Sequence, residues 1–356
     1  MSAFKINIRK KRVRERLLTW SAENPRNLPW TETKDPYLIW VSEIILQQTR
    51  VEQGRPYYER FIEKYPSVHD LAQTSDDELM KVWEGLGYYR RAKHMLESAR
   101  KISAQGIFPK THDEILSLKG VGPYTAAAVA SFAFDLPYVV VDGNVIRLIS
   151  RLEGIQEPVD NSATRKTIQQ VAEELLDRQK PSEFNQAIMD FGAKQCKPGL
   201  PDCTSCPIRP DCIGYELGLQ QEIPLKKTKK PKKERYFYYL VPTKGKNVYI
   251  RKRTANDIWQ NLFEFYLIEC DQPTSWEEIL TSVDLPIKGS KDKFLNYKQT
   301  LSHQVIRASF LEIELKSNTD CLSNADYVAI NKEKIRNFAF PKVIDCYLRE
   351  KEVILY

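Results

Sequence analysis

Apolar residues recur every three or four positions through the first two-thirds of the chain, and at alternate positions through much of the rest. "DPYLIWVSEIILQQT" opens with Asp35 as a helix N-cap and Pro36 at the first helical position. "THDEILSL" carries Thr111 with Glu114 three residues on, the pattern of a capping box. "NSATRKTIQQVAEELLDR" and "SEFNQAIMDFGAKQC" keep the helical period. Residues 1–222 are therefore expected to form an all-α domain. "IPLKKTKKPKKER", residues 223–235, is lysine-rich and aperiodic, and reads as a basic linker, either a solvated spacer or a contact for phosphates. After it, "RYFYYLVPTKGKNVYIRKR" predicts two strands around a Lys-Gly-Lys-Asn turn. "LFEFYLIEC" and "SFLEIELK" are further strand candidates, and "FPKVIDCYLREKEV" a closing helix. Residues 236–356 thus predict a smaller α+β domain.

Composition sharpens this only at the edges. A chain of 356 residues suits two domains. A net charge of +7 permits an anionic partner without identifying one. No apolar run approaches the roughly 18 residues of a membrane span, and no membrane association is expected. The basic start "MSAFKINIRKKRVRERLL" lacks the apolar stretch of a secretory signal and reads as a surface helix with Leu17, Leu18 and Trp20 facing inward. The expected setting is a bacterial cytoplasm, where seven cysteines speak for metal rather than disulfides.

Four of those cysteines crowd into "CKPGLPDCTSCPIRPDC". Cys196, Cys203, Cys206 and Cys212 are spaced C-x6-C-x2-C-x5-C. Four thiolates on one loop suit a cubane iron–sulfur cluster. A four-cysteine zinc site is the alternative, although zinc sites usually pair two C-x2-C knuckles and this loop has one. Cys270, Cys321 and Cys346 are scattered, and are expected to be ordinary buried cysteines.

"LKGVGPYTAAAV" reads as a hairpin between two helices. Gly120 and Gly122 allow positive φ and leave no Cβ in the way, and Pro123 opens the second helix. Backbone N–H groups over Lys119, Gly120, Val121 and Gly122 can then hold a phosphate without reading sequence. In "PYVVVDGNVIRL", Asp142 follows a short apolar run and precedes a helix, where it serves as an N-cap or as a reactive carboxylate. Glu43 stands among apolar residues of "IWVSEIILQQT", either at the polar edge of its helix or facing an apolar pocket that favours its protonated form. A protonated Glu and an ionised Asp across one cleft divide the labour of glycosidic cleavage.

Together, "LKGVGPYTAAAV", "VDGNV" and the cysteine loop resemble the helix-hairpin-helix DNA glycosylases with an iron–sulfur cluster. "WVSEIILQQTRV" and "VWEGLGYYRRAKHM" narrow the resemblance to adenine DNA glycosylases of the MutY type. It implies a 4Fe-4S cluster on the four cysteines and removal of adenine opposite 8-oxoguanine or guanine from double-stranded DNA, by a monomer. It also implies roles. Glu43 protonates the adenine and later helps water attack; Asp142 stabilises the sugar cation; Tyr124 and Asn144 hold the reacting groups. Gln47, Gln48 and Tyr88 fill the duplex beside the orphan base, although Tyr88 also reads as a core aromatic. The second domain resembles, more loosely, the family's Nudix-like domain, without a Nudix pyrophosphatase signature. "LSHQ" falls where the family has a Phe-Ser-His motif that recognises 8-oxoguanine. Ser302 and His303 are in place and Leu301 stands for the aromatic, and a plain polar turn is the competing reading. Sister enzymes of the endonuclease III type carry a lysine where this chain has Tyr124. A phenol cannot form an imine with the sugar, so base excision without strand cleavage is implied. The competing functions are a glycosylase/lyase for oxidised pyrimidines and a DNA-binding protein without activity.

Overall fold

A computed structural model describes residues 3–228, 231–290, 294–316 and 320–354. The chain divides into two compact units. One comprises residues 1–72 and 97–229, the other residues 73–96 and 230–356.

Helices follow one another down to residue 216: α1 (Ala3–Glu23), α2 (Pro36–Leu46), α3 (Val51–Lys64), α4 (Val68–Gln73), α5 (Asp76–Trp83), α6 (Arg90–Gln105), α7 (His112–Leu116), α8 (Pro123–Phe134), α9 (Gly143–Glu153), α10 (Ser162–Leu175), α11 (Pro181–Lys194) and α12 (Ile213–Glu216). The local signals work as read. The Asp35 side chain accepts from Tyr37 N at 2.8 Å and caps α2. Thr111 and Glu114 close a complete capping box on α7. One core of the first unit gathers Leu17 and Trp20 of α1 with Leu148, Ile149, Phe184, Ile188 and Phe191 of α9 and α11. Alanines 126, 128 and 130 of α8 are fully buried, and the absence of long side chains there lets α8 lie close against α2. The expected linker begins seated in this unit. Ile223 is buried, Val159 N donates to Leu225 O at 3.0 Å, and Lys227 N donates to Asp160 at 3.1 Å. Its Lys229 and Lys230 lie outside the described residues.

The second unit is built on a mixed sheet. Its strands are β1 (Lys233–Lys244), β2 (Asn247–Lys252), β3 (Phe263–Glu264), β4 (Tyr266–Cys270), β5 (Ile287–Ser290), β6 (Leu295–Thr300), β7 (Gln304–Leu315) and β8 (Val328–Asn331). The order is β3-β2-β1-β7-β5, with β4 also on β1, β6 on β7 and β8 on β2. β1 and β7 run parallel from Lys233↔Gln304 to Thr243↔Glu314. The predicted hairpin is β1–β2, and its turn contains Gly245 at φ +57°. The closing helix α15 (Lys342–Ile354) stacks Tyr347 on Phe310 at 4.6 Å; two further helices, α13 (Trp276–Thr281) and α14 (Asp320–Asn324), lie between strands. The last three residues read as linker, Lys233 to Arg235, are already strand.

Residues 73–96 precede the hairpin in the chain yet cluster with this sheet. Glu84 accepts from Phe340 N at 2.9 Å, Lys81 Nζ donates to Phe338 O at 3.2 Å, and Asp77 pairs with Lys252.

Candidate active site

The first unit contains a cleft of about 860 Å³. Glu43, Tyr124, Asp142 and Asn144 line it together, and Leu28, Trp30, Leu46 and Val51 supply apolar wall. The polar groups arrive on three elements, Asp142 and Asn144 sharing one. Glu43 lies in the last turns of α2, Tyr124 in the first turn of α8, and Asp142 caps α9.

Glu43 is 6 % exposed. Burial pushes its carboxyl up to about 7, the Tyr124 hydroxyl that donates to it pulls the other way, and the charge of Asp142 adds to the rise. The polar-edge reading is thereby set aside for this residue. Tyr124 is driven well above its ordinary value, by burial first and then by the two carboxylates. Asp142 answers to both sequence readings at once. Its Oδ1 accepts from Asn144 N at 2.9 Å and Val145 N at 2.8 Å, as an N-cap does. Its Oδ2 accepts from Asn144 Nδ2 at 2.7 Å. Burial raises this carboxyl too, but those bonds and the charge of Arg147 oppose the rise. The extended run before it is pinned from α11: buried Asn185 accepts from Val140 N at 2.9 Å and donates to Tyr138 O and Ser131 at 2.8 Å.

Other expected contact residues are placed as follows. Gln47 ends α2 and donates to Thr125 at 3.1 Å, and Gln48 follows with φ +58°. In the hairpin, Gly120 has φ +79°, which favours glycine. Gly122 departs from expectation. Its φ is −99° with extended ψ, because it is the N-cap of α8, and an added Cβ would stand in open space. Lys119 is ion-paired with Glu97, and Val121 is nearly buried with its N–H turned to Leu118 O at 3.1 Å. In the second unit, Tyr88 is 46 % exposed at φ +48°, which overturns the reading of a core aromatic. Ser302 and His303 form the exposed tip between β6 and β7, with Oγ 3.1 Å from Nδ1. Leu301 N donates to Gln304 O at 2.8 Å, and the linker's Lys232 donates to Leu301 O at 2.5 Å.

The four loop cysteines are free and partly buried. Burial raises Cys203 and Cys212 and pushes Cys206 up to about 12, and every one of these three feels its loop partners as further repulsion. Among the described residues no group of three or more His, Cys, Asp or Glu is gathered so as to hold a single metal ion. The donor chemistry nevertheless fits a polynuclear iron centre: four soft sulfurs on one loop, whose thiolates a cationic group would favour. Cys270 and Cys346 are only partly buried and Cys321 is exposed, against the expectation for all three.

Sequence reading missed a second layer. Arg147 donates to Asn144 Oδ1 at 2.8 Å, to Gly192 O at 2.6 Å and to Cys196 O at 2.8 Å, which links the Asp142 side of the cleft to the cysteine loop. Arg151, 2 % exposed, donates to Cys196 Sγ at 3.3 Å. Both arginines sit four apart on α9, a spacing that puts them on one face and was the available signal. Arg26, Gln186 and Asp190 also line the cleft, with Gln186 donating to Asp190 at 2.7 Å. Nothing in their local patterns marks them.

Residues 41–176 match the model of the HhH-GPD superfamily base excision DNA repair proteins, and residues 237–350 match the NUDIX domain. The adenine DNA glycosylase of Buchnera aphidicola subsp. Acyrthosiphon pisum is 35% identical over 252 residues, 70% of this chain and 72% of that protein. Its counterpart in Buchnera aphidicola subsp. Baizongia pistaciae is 34% identical over 78% of this chain and 79% of its own length. The human adenine DNA glycosylase is 38% identical over 58% of this chain and 40% of its own length. Among solved structures, a thermostable thymine-DNA glycosylase superposes with a TM-score of 0.54 at 32% identity, covering 60% of this chain and 99% of that one. An endonuclease III–DNA complex, at 24% identity and a TM-score of 0.51 over 59% of this chain and 98% of that one, shares the fold. The buried glutamic acid, the tyrosine and the capping aspartate of the cleft lie within the matched repair-protein segment, and the two Buchnera relatives match through 72% and 79% of their length: the chain belongs to the adenine DNA glycosylase family, and is a DNA glycosylase of base excision repair.

Proposed function

We propose that this enzyme removes adenine paired with 8-oxoguanine, or with guanine, by hydrolysing the N-glycosidic bond and leaving the strand intact. The observation that carries the reading is the pairing of Glu43, raised to about 7, with a hydrogen-bonded Asp142 in one cleft. At neutral pH a large share of Glu43 holds its proton, so it can deliver one to N7 of the base as the bond breaks. The base then leaves neutral and the sugar gains oxocarbenium character. Asp142, fixed by two backbone N–H groups and Asn144, stabilises that cation. Glu43, now ionised and held by the Tyr124 hydroxyl, accepts a proton from the attacking water. The apolar wall of Leu28, Trp30 and Leu46 receives the planar base and excludes bulk water around it. Tyr124 offers no amine for a Schiff base.

Outside the cleft, the open space at Gly122 and the left-handed Gly120 favour close approach of a phosphate to the hairpin. Exposed Tyr88 and left-handed Gln48 suit insertion beside the orphan base, since flipping costs a few kcal/mol of stacking. Ser302 and His303 present a hydroxyl and an imidazole at a tip, and these can meet the C8 oxygen or the N7 proton of 8-oxoguanine. Cys196, Cys203, Cys206 and Cys212 would hold a 4Fe-4S cluster, which supplies a cross-link for the loop when bound.

The test uses labelled duplexes carrying A opposite 8-oxoguanine, A opposite guanine, or thymine glycol. Product that requires alkali, on the first duplex above the second and not on the third, is expected. Strand scission without alkali would overturn the proposal.

A further inference from the structure

The amino-terminal helix does more to the cysteine loop than pack beside it. Arg9, Arg12 and Arg16 are spaced to share one face of α1, and all three reach the same residue, Asp211. Arg12 forks the carboxylate, with Nε 3.0 Å from Oδ2 and Nη2 on Oδ1. Arg16 Nη1 donates to the same Oδ2 at 3.1 Å and to Pro207 O at 3.0 Å. Arg9 donates to Asp211 O from Nη2 at 2.6 Å and from Nε at 3.1 Å, and is itself held by Glu153 at 2.9 Å and Leu152 O at 2.9 Å. The Asp211 side chain is 1 % exposed. Its place in the sequence matters. Asp211 directly precedes Cys212, and Pro207 directly follows Cys206. So two of the four cysteines each have a chain neighbour fastened to α1. The next arginine of the helix, Arg14, does something else: it donates to Leu175 O at 2.7 Å and Glu174 O at 3.2 Å.

We propose that Arg9, Arg12 and Arg16 form a latch by which α1 holds the Cys206–Cys212 segment closed, so that retention of the cluster is set by the amino-terminal helix. The inference rests on the assignment of an iron–sulfur cluster to the four cysteines. The arginines are positioning residues. They touch no sulfur, and act by keeping two ligands from swinging away together. Opening the segment would strip the carboxylate of both side-chain arginine partners at once, and charge-assisted bidentate pairs are the strong class of hydrogen bond. An open loop presents its sulfur ligands to solvent, and a chelator then competes for the iron.

The experiment measures iron and acid-labile sulfide in the purified full-length chain, then the rate at which a chelator removes the iron. The variants are the double substitution Arg12→Ala with Arg16→Ala, the single Asp211→Asn, the combination of all three, and Arg14→Ala as a control on the same helix. Circular dichroism checks helix content. Iron is expected to leave the double variant and Asp211→Asn on the order of tenfold faster than the parent. The combination should exceed Asp211→Asn by no more than the loss of the Arg16 bond to Pro207 O, because the two arginines and Asp211 otherwise act through one carboxylate. Arg14→Ala should match the parent. A parent that holds iron, with a double variant that releases it at the parental rate, refutes the latch and leaves the cluster standing. A parent without iron or sulfide refutes both.

Discussion

Glu43 and Tyr124 make the site sensitive to pH in a defined direction. Only the protonated carboxyl can donate, so single-turnover excision should fall as pH rises through about 7. The Tyr124 hydroxyl holds that value down by favouring the ionised form. Tyr124→Phe should therefore move the alkaline limb to higher pH even as the maximal rate drops, and a limb that stays put or moves lower would detach Tyr124 from Glu43. Glu43→Gln should abolish excision and leave duplex binding nearly unchanged. It should also stabilise the fold. A carboxyl raised from 4.5 to about 7 contributes stability below pH 4.5 that is lost as pH rises to about 7. The amide has no such loss, so the variant should exceed the parent by on the order of 3 kcal/mol at pH 8, with the difference shrinking towards pH 4.5. Urea unfolding at both pH values decides it.

At the scale of elements, the site depends on how an extended run is brought to the start of α9. Asn185 does this from a different helix, with no exposure to solvent. Asn185→Ala leaves the Val140 N–H and the Ser131 hydroxyl without this partner, at a cost of about 1–3 kcal/mol for each buried group. We expect a loss of 2–4 kcal/mol by denaturant unfolding, and a slower chemical step because Asp142 loses its fixed base. An excision rate equal to the parent's would show that α9 alone sets Asp142. This is also where sequence reading was strongest and weakest. Asp35–Pro36, Thr111–Glu114 and Gly120–Pro123 were legible because capping and hairpin chemistry is local. The two cleft carboxylates, Glu43 and Asp142, were legible as candidates because an acid inside or beside an apolar run is conspicuous. Asn185, Arg147 and Arg26 look like ordinary polar positions of their segments, since their partners are 45 or more residues away for Asn185 and for Arg147's contacts with Gly192 and Cys196, and 164 away for Arg26. Short strands such as β5 and β8, four residues each, carry too few positions for an alternating pattern to register.

At the scale of the molecule, the boundary read from the basic linker describes only one of the crossings between units. Residues 73–96 have a helical pattern like their neighbours, and nothing local reveals that Glu84 pairs with a backbone N–H 256 residues on. Stopping the chain near Thr228 should therefore have two effects. Amide exchange over α5 should speed up, because its partners Phe338, Phe340 and Lys252 are gone. Adenine excision should persist but lose preference for 8-oxoguanine over guanine, because Ser302 and His303 are removed while Glu43, Tyr124 and Asp142 remain. An unchanged preference would place lesion recognition in the remaining residues, and unchanged exchange would show that α5 is ordered without the sheet.

That interrupted path has a consequence for how the protein is made. Residues 73–96 leave the ribosome well before the strands they settle against. At roughly 5–20 residues per second, Glu84 waits on the order of 10–50 s for Phe340 to be synthesised. During that interval the helices of the first unit can assemble while residues 73–96 still lack their final neighbours. The last step of maturation is then not the folding of a separate tail, but the closing of a sheet onto a stretch translated near the beginning.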